Sequence, residues 1–394
     1  MARTPERSRR RAAPVQLPDL LIELAAGRAP QGCQFDASLL ELATDHRMTG
    51  LLCTWGLEHL DDRELRTWLV MHDLGVRAHL QHIWTVLESV VAALHEAGIQ
   101  VATIKGVTAE ARWFARQGER PCSDIDLLLS PHQLGQAAQA VAVLQPDHPW
   151  IPQLDRLVAT HRVQAVTLRV DDVDVDLHLD LLKLGIPTRG SHDLWDRTVL
   201  YRLPGGAMVR VLDDTAALFH LLVHLNKDRF QRLLGYADVQ RVMAGGRVDW
   251  GLLVLDARRE GIEVAVLRTL ETVVDELRIA WPADLTRPRG PRAFVWGLLW
   301  NRGIRLRGFE GRLRYRMRQN WIALLARRRS VEALWWWLRE MWPPGVAVDL
   351  QYGEIRGPYL WKLFRGRVEA ARKLRRRLKG LSRGKDATSG PAIE

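Results

Sequence analysis

The spacing of apolar residues changes character along the chain. From about residue 35 to 98 they recur every three or four positions, the period of a helix with one buried face. In the last such stretch Val76, Leu80, Ile83, Leu87, Val90, Val91 and Leu94 form one stripe, and Gly98 stands where a helix usually ends. The period then breaks. Ile99 to Ile104 is a short, mostly apolar run and predicts a buried strand. Lys105-Gly106 follows, then a helix over 107–117 and a turn at Gln117-Gly118-Glu119-Arg120-Pro121. Asp124 to Leu129 predicts a second strand, stopped by Ser130-Pro131, with a helix over about 131–144. Val163–Val170 and Val173–Leu179 predict two more strands, with Asp171-Asp172 as the hairpin turn. Together these make one unit of helices and strands over roughly 85–183. Beyond it the pattern is mainly helical, with Leu218, Leu221, Leu222, Leu225, Leu233 and Leu234 on helix faces between Thr215 and Met243.

The 394 residues suffice for two or three domains at roughly 150 residues each. The expected division is a basic tail over 1–18, a helical region over 19–98, an α+β core over 99–185, a helical region over 186–285, a basic Trp-rich region over 286–380 and a tail over 381–394. The two tails are expected to be disordered. The net charge of +11 is almost wholly arginine, with seven lysines among 57 basic residues. A basic surface favours anionic partners such as nucleotides, nucleic acid or anionic lipid. A GC-rich genome also enriches arginine, so charge alone assigns none of them. Cys33, Cys53 and Cys122 have no metal-type spacing, and so sparse a count fits a reducing cytoplasm. Arg7, Arg9, Arg10 and Arg11 are not followed by an apolar stretch, which argues against a secretory signal. No run approaches the ~18 apolar residues of a membrane span.

The chemistry concentrates in the strands. Residues two apart on a strand share a face, so Asp124 and Asp126 project together while Ile125 and Leu127 turn into the core. Paired carboxylates on an apolar strand repel each other and are costly to bury unless a divalent cation lies between them. Carboxylates with open positions suit Mg²⁺ that also binds substrate phosphates. Two such ions, roughly 3.5–4 Å apart, stabilise both the attacking and the leaving oxygen of an in-line displacement. In Val173-Asp174-Val175-Asp176-Leu177-His178-Leu179 the acids again alternate with apolar residues, so Asp174, Asp176 and His178 share a face. Asp176 is the preferred third carboxylate and Asp174 the alternate. Lys105 and Arg120 are candidates to hold a triphosphate, Ser123 to add a hydroxyl donor, and Gly106 to open a helix start that binds anions through its N–H groups.

The stretch GIQVATIKGVTAEARW…ERPCSDIDLLLSPHQLGQAAQAV, with the later Val-Asp-Leu-His at 175–178, resembles an uncharacterised bacterial nucleotidyltransferase family of the DNA polymerase beta superfamily. ATDHRMTGLL resembles that family's N-terminal helical region. LFHLLVHLNKDRFQRLLGYADVQRV resembles its histidine-bearing helix with a later aspartate, here Asp238, and MWPPGVAVDLQYG…PYLWKLFRGR resembles its C-terminal end. The resemblance covers about 35–367. It implies a polymerase-beta-like mixed sheet with helices, flanked by helical regions, and an ATP- or other NTP-dependent, Mg²⁺-dependent cytoplasmic enzyme. Two ions are expected on Asp124, Asp126 and Asp176. The enzyme would move a nucleoside monophosphate to an acceptor such as a biosynthetic small molecule or peptide and release pyrophosphate. The glycine pair usual in the wider superfamily is Gly106-Val107 here, and 18 residues separate Gly106 from Asp124.

Other features are less specific. His220 and His224, at i and i+4, fit a structural or substrate-facing role better than zinc, because Leu221 stands where a metalloprotease has glutamate. His178 is a buried histidine or an aid to Asp176, and Asp238 either contacts substrate or caps a helix. The tryptophans at 296, 300, 321, 335–337, 342 and 361 fit core packing first, then docking to a partner, and stacking on single-stranded nucleic acid least. The basic cluster at 372–379 fits a solvated helix end better than a lipid contact. Two rival functions remain: a toxin-like nucleotidyltransferase acting on RNA or protein, and a non-catalytic adaptor binding a biosynthetic partner.

Overall fold

Helices come first along the chain, as the spacing predicts. The computed structural model describes residues 19–30, 37–129, 133–144, 165–178, 195–227, 230, 232–294 and most of 358–369. Helices α1 (Asp19–Ala25), α2 (Ala37–Asp45) and α3 (Thr49–His59) lead into the 34-residue α4 (Arg63–Glu96). Asp62 caps α4 by accepting the Leu65 N–H at 2.9 Å, and Gly98, at φ +72°, takes the left-handed turn that ends it.

The predicted strands follow: β1 (Val101–Thr103), β2 (Asp124–Leu129), β3 (Ala165–Val170) and β4 (Val173–His178), with α5 (Val107–Trp113) and α6 (Leu134–Ala142) between them. Asp171 and Asp172 both adopt positive φ, 44° and 66°, the pattern of a tight hairpin turn between β3 and β4. Helix α5 stops four residues earlier than expected. Side chains take over its backbone donors: the Glu110 carboxylate accepts the Gly118 N–H and the Glu119 carboxylate the Ala115 N–H, both at 3.0 Å.

Two strands arise in the segment read as helical, β5 (Thr198–Arg202) and β6 (Met208–Leu212). The sheet therefore draws on residues 101–212. Its order is β3-β4-β2-β1-β6-β5; β2–β4 and β1–β6 are parallel and the other pairs antiparallel. Helices α7 (Asp214–Lys227), α8 (Leu233–Ala244), α9 (Trp250–Arg259) and α10 (Glu263–Leu277) follow. The turn between α7 and α8 carries a buried Phe230 at φ 57°, which splits the stretch read between 215 and 243.

Each face of the sheet has its own core. Ile125, Leu127, Leu129, Val173, Val175 and Leu177 pack with the inner faces of α4 and α6. On the opposite face, Ala102, Leu128 and Leu212 join a second core built by α1–α3 with α7–α10. The helical regions before and after the sheet thus share one core. No helix among the described residues is long and apolar enough to cross a membrane. Both termini and most of the Trp-rich region lie outside the described residues; of its tryptophans only Trp361 is described, with the Arg365 guanidinium 5.5 Å from its ring centre.

Candidate active site

The parallel ladder between β2 and β4 aligns the acids. Asp124 lies opposite Asp174, Asp126 opposite Asp176, and Leu128 opposite His178. All six share the face that meets the helical core, since Ile125, Leu127, Val175 and Leu177 occupy the other. The row grades from exposed to buried. Asp174 is half-exposed and turns to Arg169 at 3.3 Å, whereas Asp126 and His178 are 2% and 3% exposed. Asp176, between these extremes, accepts a hydrogen bond from Thr167 Oγ1.

Asp126, Asp176 and His178 converge, each offering a donor atom within 4.8 Å of the others. His178 Nε2 lies 2.8 Å from Asp126 Oδ1 and 3.9 Å from Asp176 Oδ2. Asp124 stands outside this group, at the open edge, where Ser123 Oγ donates to its Oδ1 at 3.3 Å. Lys105 places Nζ 3.1 Å from Asp126 Oδ2 and 3.2 Å from Nε2 of His224 on α7. Oδ2 is a fully buried oxygen whose neighbour is this ion-pair partner. Burial opposes the charge on Asp126, but the His178 hydrogen bond and Lys105 outweigh it and hold the carboxyl well below the usual carboxylate range.

Gly106 explains why the chain can pass so close. Its φ of 68° and ψ of −120° are accessible to glycine and strained for other residues. A Cβ there would lie 3.4 Å from the Asp124 carbonyl oxygen and 4.0 Å from Asp126 Oδ2. Glycine keeps the space beside that carboxylate open.

Arg120, expected among the phosphate ligands, is occupied elsewhere. Its Nε and one terminal nitrogen donate to Asp238 of α8 at 2.8 and 2.9 Å, and its other terminal nitrogen to Cys122 Sγ at 3.3 Å. Burial alone would lower its pKa, but Asp238 and Cys122 more than offset this and raise it. Asp238, read from sequence as a substrate contact or a helix cap, is the counter-ion of Arg120. His220 is buried one turn from His224 on α7. Arg47, in the turn between α2 and α3, reaches Ser123 Oγ at 3.4 Å. Spacing could not have singled it out, since 76 residues separate the two.

Residues 36–275, well over half the chain, match a protein family described as an uncharacterised nucleotidyltransferase. The chain belongs to this family. It is a nucleotidyltransferase, and the six-stranded mixed sheet is consistent with a polymerase-beta-like core. No curated protein matches the chain. The match runs from α2 into the last turn of α10, so it takes in Arg47, Lys105, the acid row, His224 and Asp238 together. The donor set of this nucleotidyltransferase fits a divalent cation: an imidazole and two carboxylates, one of which, Asp126, has a buried oxygen.

Proposed function

We propose that the protein transfers a nucleoside monophosphate from an NTP to an acceptor oxygen, releasing pyrophosphate, with a divalent cation held by Asp126 and Asp176. The observation that carries this reading is the buried Asp126, set against Asp176 and His178 across the β2–β4 ladder with the Lys105 ammonium at its other oxygen. In the reaction the acceptor oxygen bonds to the α-phosphorus, the bond from that phosphorus to the bridging oxygen breaks, and pyrophosphate leaves. The acceptor's proton passes to the Asp176 carboxylate, the more exposed of the two acids. When bound, the cation would neutralise phosphate charge and draw the reacting oxygens together.

The residues of the chain do the positioning, which supplies nearly all the catalysis in phosphoryl transfer. Lys105 swings from Asp126 to the triphosphate as a point charge. Ser123 and Arg47 meet the phosphates at the open edge, and Gly106 leaves room for them beside Asp126. Asp124 serves the second cation of a two-ion arrangement there, with magnesium the ordinary companion of a triphosphate. Arg120 acts at one remove, holding the loop that precedes β2 against Asp238.

The test is the full chain incubated with each of the four NTPs and magnesium, water serving as default acceptor, with products resolved by chromatography. Nucleoside monophosphate and pyrophosphate are expected. Asp126→Asn keeps the shape but removes ligand charge and should lower turnover by about 100-fold or more, above the range for lost outer partners of a metal. Nucleoside diphosphate and orthophosphate as products, or full turnover in Asp126→Asn, would refute the reading.

A further inference from the structure

His178 has the geometry of more than a satisfied core histidine. It lies opposite Leu128, where the acid row runs into the helical core, and is 3% exposed. From there its Nε2 faces back along the row, 2.8 Å from an oxygen of Asp126 and 3.9 Å from an oxygen of Asp176. A carboxylate only accepts, so Nε2 carries a hydrogen in this contact. One carboxylate would satisfy that hydrogen; here two converge on the same nitrogen. Donor atoms about 2.0–2.1 Å from a common ion at octahedral angles are themselves about 2.9 Å apart when adjacent and about 4.1 Å apart when opposite, and values between these follow where the angles relax. Both distances to His178 Nε2 are close to that range.

We propose that His178 is an inner-sphere nitrogen ligand of the cation site, beside Asp126 and Asp176, and that the site therefore prefers manganese or another first-row transition dication to magnesium. This rests on the metal-dependent reading above and sharpens it. Imidazole suits zinc, copper, iron and nickel, while carboxylate and water suit magnesium, calcium and manganese. Manganese shares the carboxylate preference of magnesium but, as a first-row transition ion, accepts a nitrogen ligand more readily, so one imidazole beside two carboxylates tips the choice away from magnesium. Binding balances as an exchange: the Nε2 proton is lost to solvent, or the ring shifts to its Nδ1–H tautomer, and the freed lone pair bonds to the ion. The Asp126 contact that now holds the ring keeps Nε2 aimed at the site.

The experiment uses tag-free full-length protein loaded with Mn²⁺ at one equivalent and read by pulsed electron paramagnetic resonance, beside calorimetric titrations with Mn²⁺ and Mg²⁺. A nitrogen-14 coupling to the manganese is expected in the wild type and in His224→Gln. It should be absent in His178→Gln. Loss of an outer partner of a metal costs about 10–100-fold in affinity. Loss of an inner nitrogen should reach the top of that range for Mn²⁺ while Mg²⁺ affinity falls less, so that the preference for manganese collapses. The wild-type spectrum decides the ligand even if His178→Gln folds poorly. Manganese bound and lost in Asp126→Asn, but with no nitrogen coupling, would overturn the role of His178 and leave the transferase reading intact. Retention of the coupling in a folded His178→Gln protein would overturn it equally. Failure to bind either ion, with or without ATP, would sink both.

Discussion

Removing the Asp238 carboxylate should cost the protein more stability than any other single change around the site. Arg120 and Asp238 have side chains 10% and 5% exposed and share two hydrogen bonds at 2.8 and 2.9 Å. In Asp238→Ala the guanidinium cannot shed its proton and keeps only the weak Cys122 sulfur acceptor among these partners. Breaking a buried pair from one side costs about 3–5 kcal/mol, because the remaining charge is stranded. With a urea m value of about 3 kcal/mol/M, that lowers the unfolding midpoint by roughly 1–1.7 M. The double variant Arg120→Met/Asp238→Leu removes both charges and should recover most of the loss, since apolar replacement of a whole buried pair is often neutral. The assay is urea unfolding of the wild type, Asp238→Ala and the double variant, followed by tryptophan fluorescence and circular dichroism. A midpoint in Asp238→Ala within about 0.3 M of wild type, below ~1 kcal/mol at that m value, would refute the argument.

Two more expectations follow from named contacts. Lys105→Ala should weaken NTP binding in calorimetry by about 1.5–3 kcal/mol, the range for a charge-assisted hydrogen bond, and should lower the melting temperature less than Asp238→Ala does, because His178 still faces the Asp126 carboxylate. Lys105→Arg should rescue it only partly, because a planar fork replaces a point charge. Unchanged affinity with a large loss of stability would show that Lys105 is structural. Burial pushes the Cys122 thiol up to about 11, against the opposing pull of Arg120, and the Cys53 thiol up to about 12. At pH 8 both should resist iodoacetamide in the native protein and label on unfolding, as site-resolved mass spectrometry would report; rapid native labelling of either would contradict their burial.

The strands that carry the acids were readable because their alternation is strict. With Ile125, Leu127, Val175 and Leu177 fixed inward, the acids had one face left. Periodicity alone could not choose between Asp174 and Asp176, since both occupy that face. Register places Asp176 opposite Asp126, and pairing across 50 residues leaves no trace in local pattern. The β5–β6 hairpin escaped notice for a related reason. Edge strand β5 exposes consecutive apolar residues, Val199 and Leu200, so the period-two signal fails there, and β6 joins the sheet through a parallel pairing with β1 more than 100 residues earlier. The destination of Arg120 was hidden in the same way. An arginine two residues before a cysteine and four before an aspartate has obvious neighbours, yet its partner is 118 residues downstream. The early end of α5 depends on Glu110 and Glu119 replacing main-chain acceptors, which helix propensity does not anticipate.

The sheet's two unlike faces set different rules for inherited change along a single strand. Ile125, Leu127 and Leu129 answer only to the volume and shape of the core beneath them, where swaps among leucine, isoleucine and valine are tolerated if the volume is kept. Their neighbours at 124 and 126 answer to charge and to reach measured in tenths of an ångström. Variation in β2 and β4 should therefore alternate residue by residue, drifting freely within one chemical class on the buried side and scarcely at all on the other. A lineage could replace every core residue under these strands over time and still leave the spacing of the acids untouched, because the backbone pleat transmits position between the faces without transmitting identity.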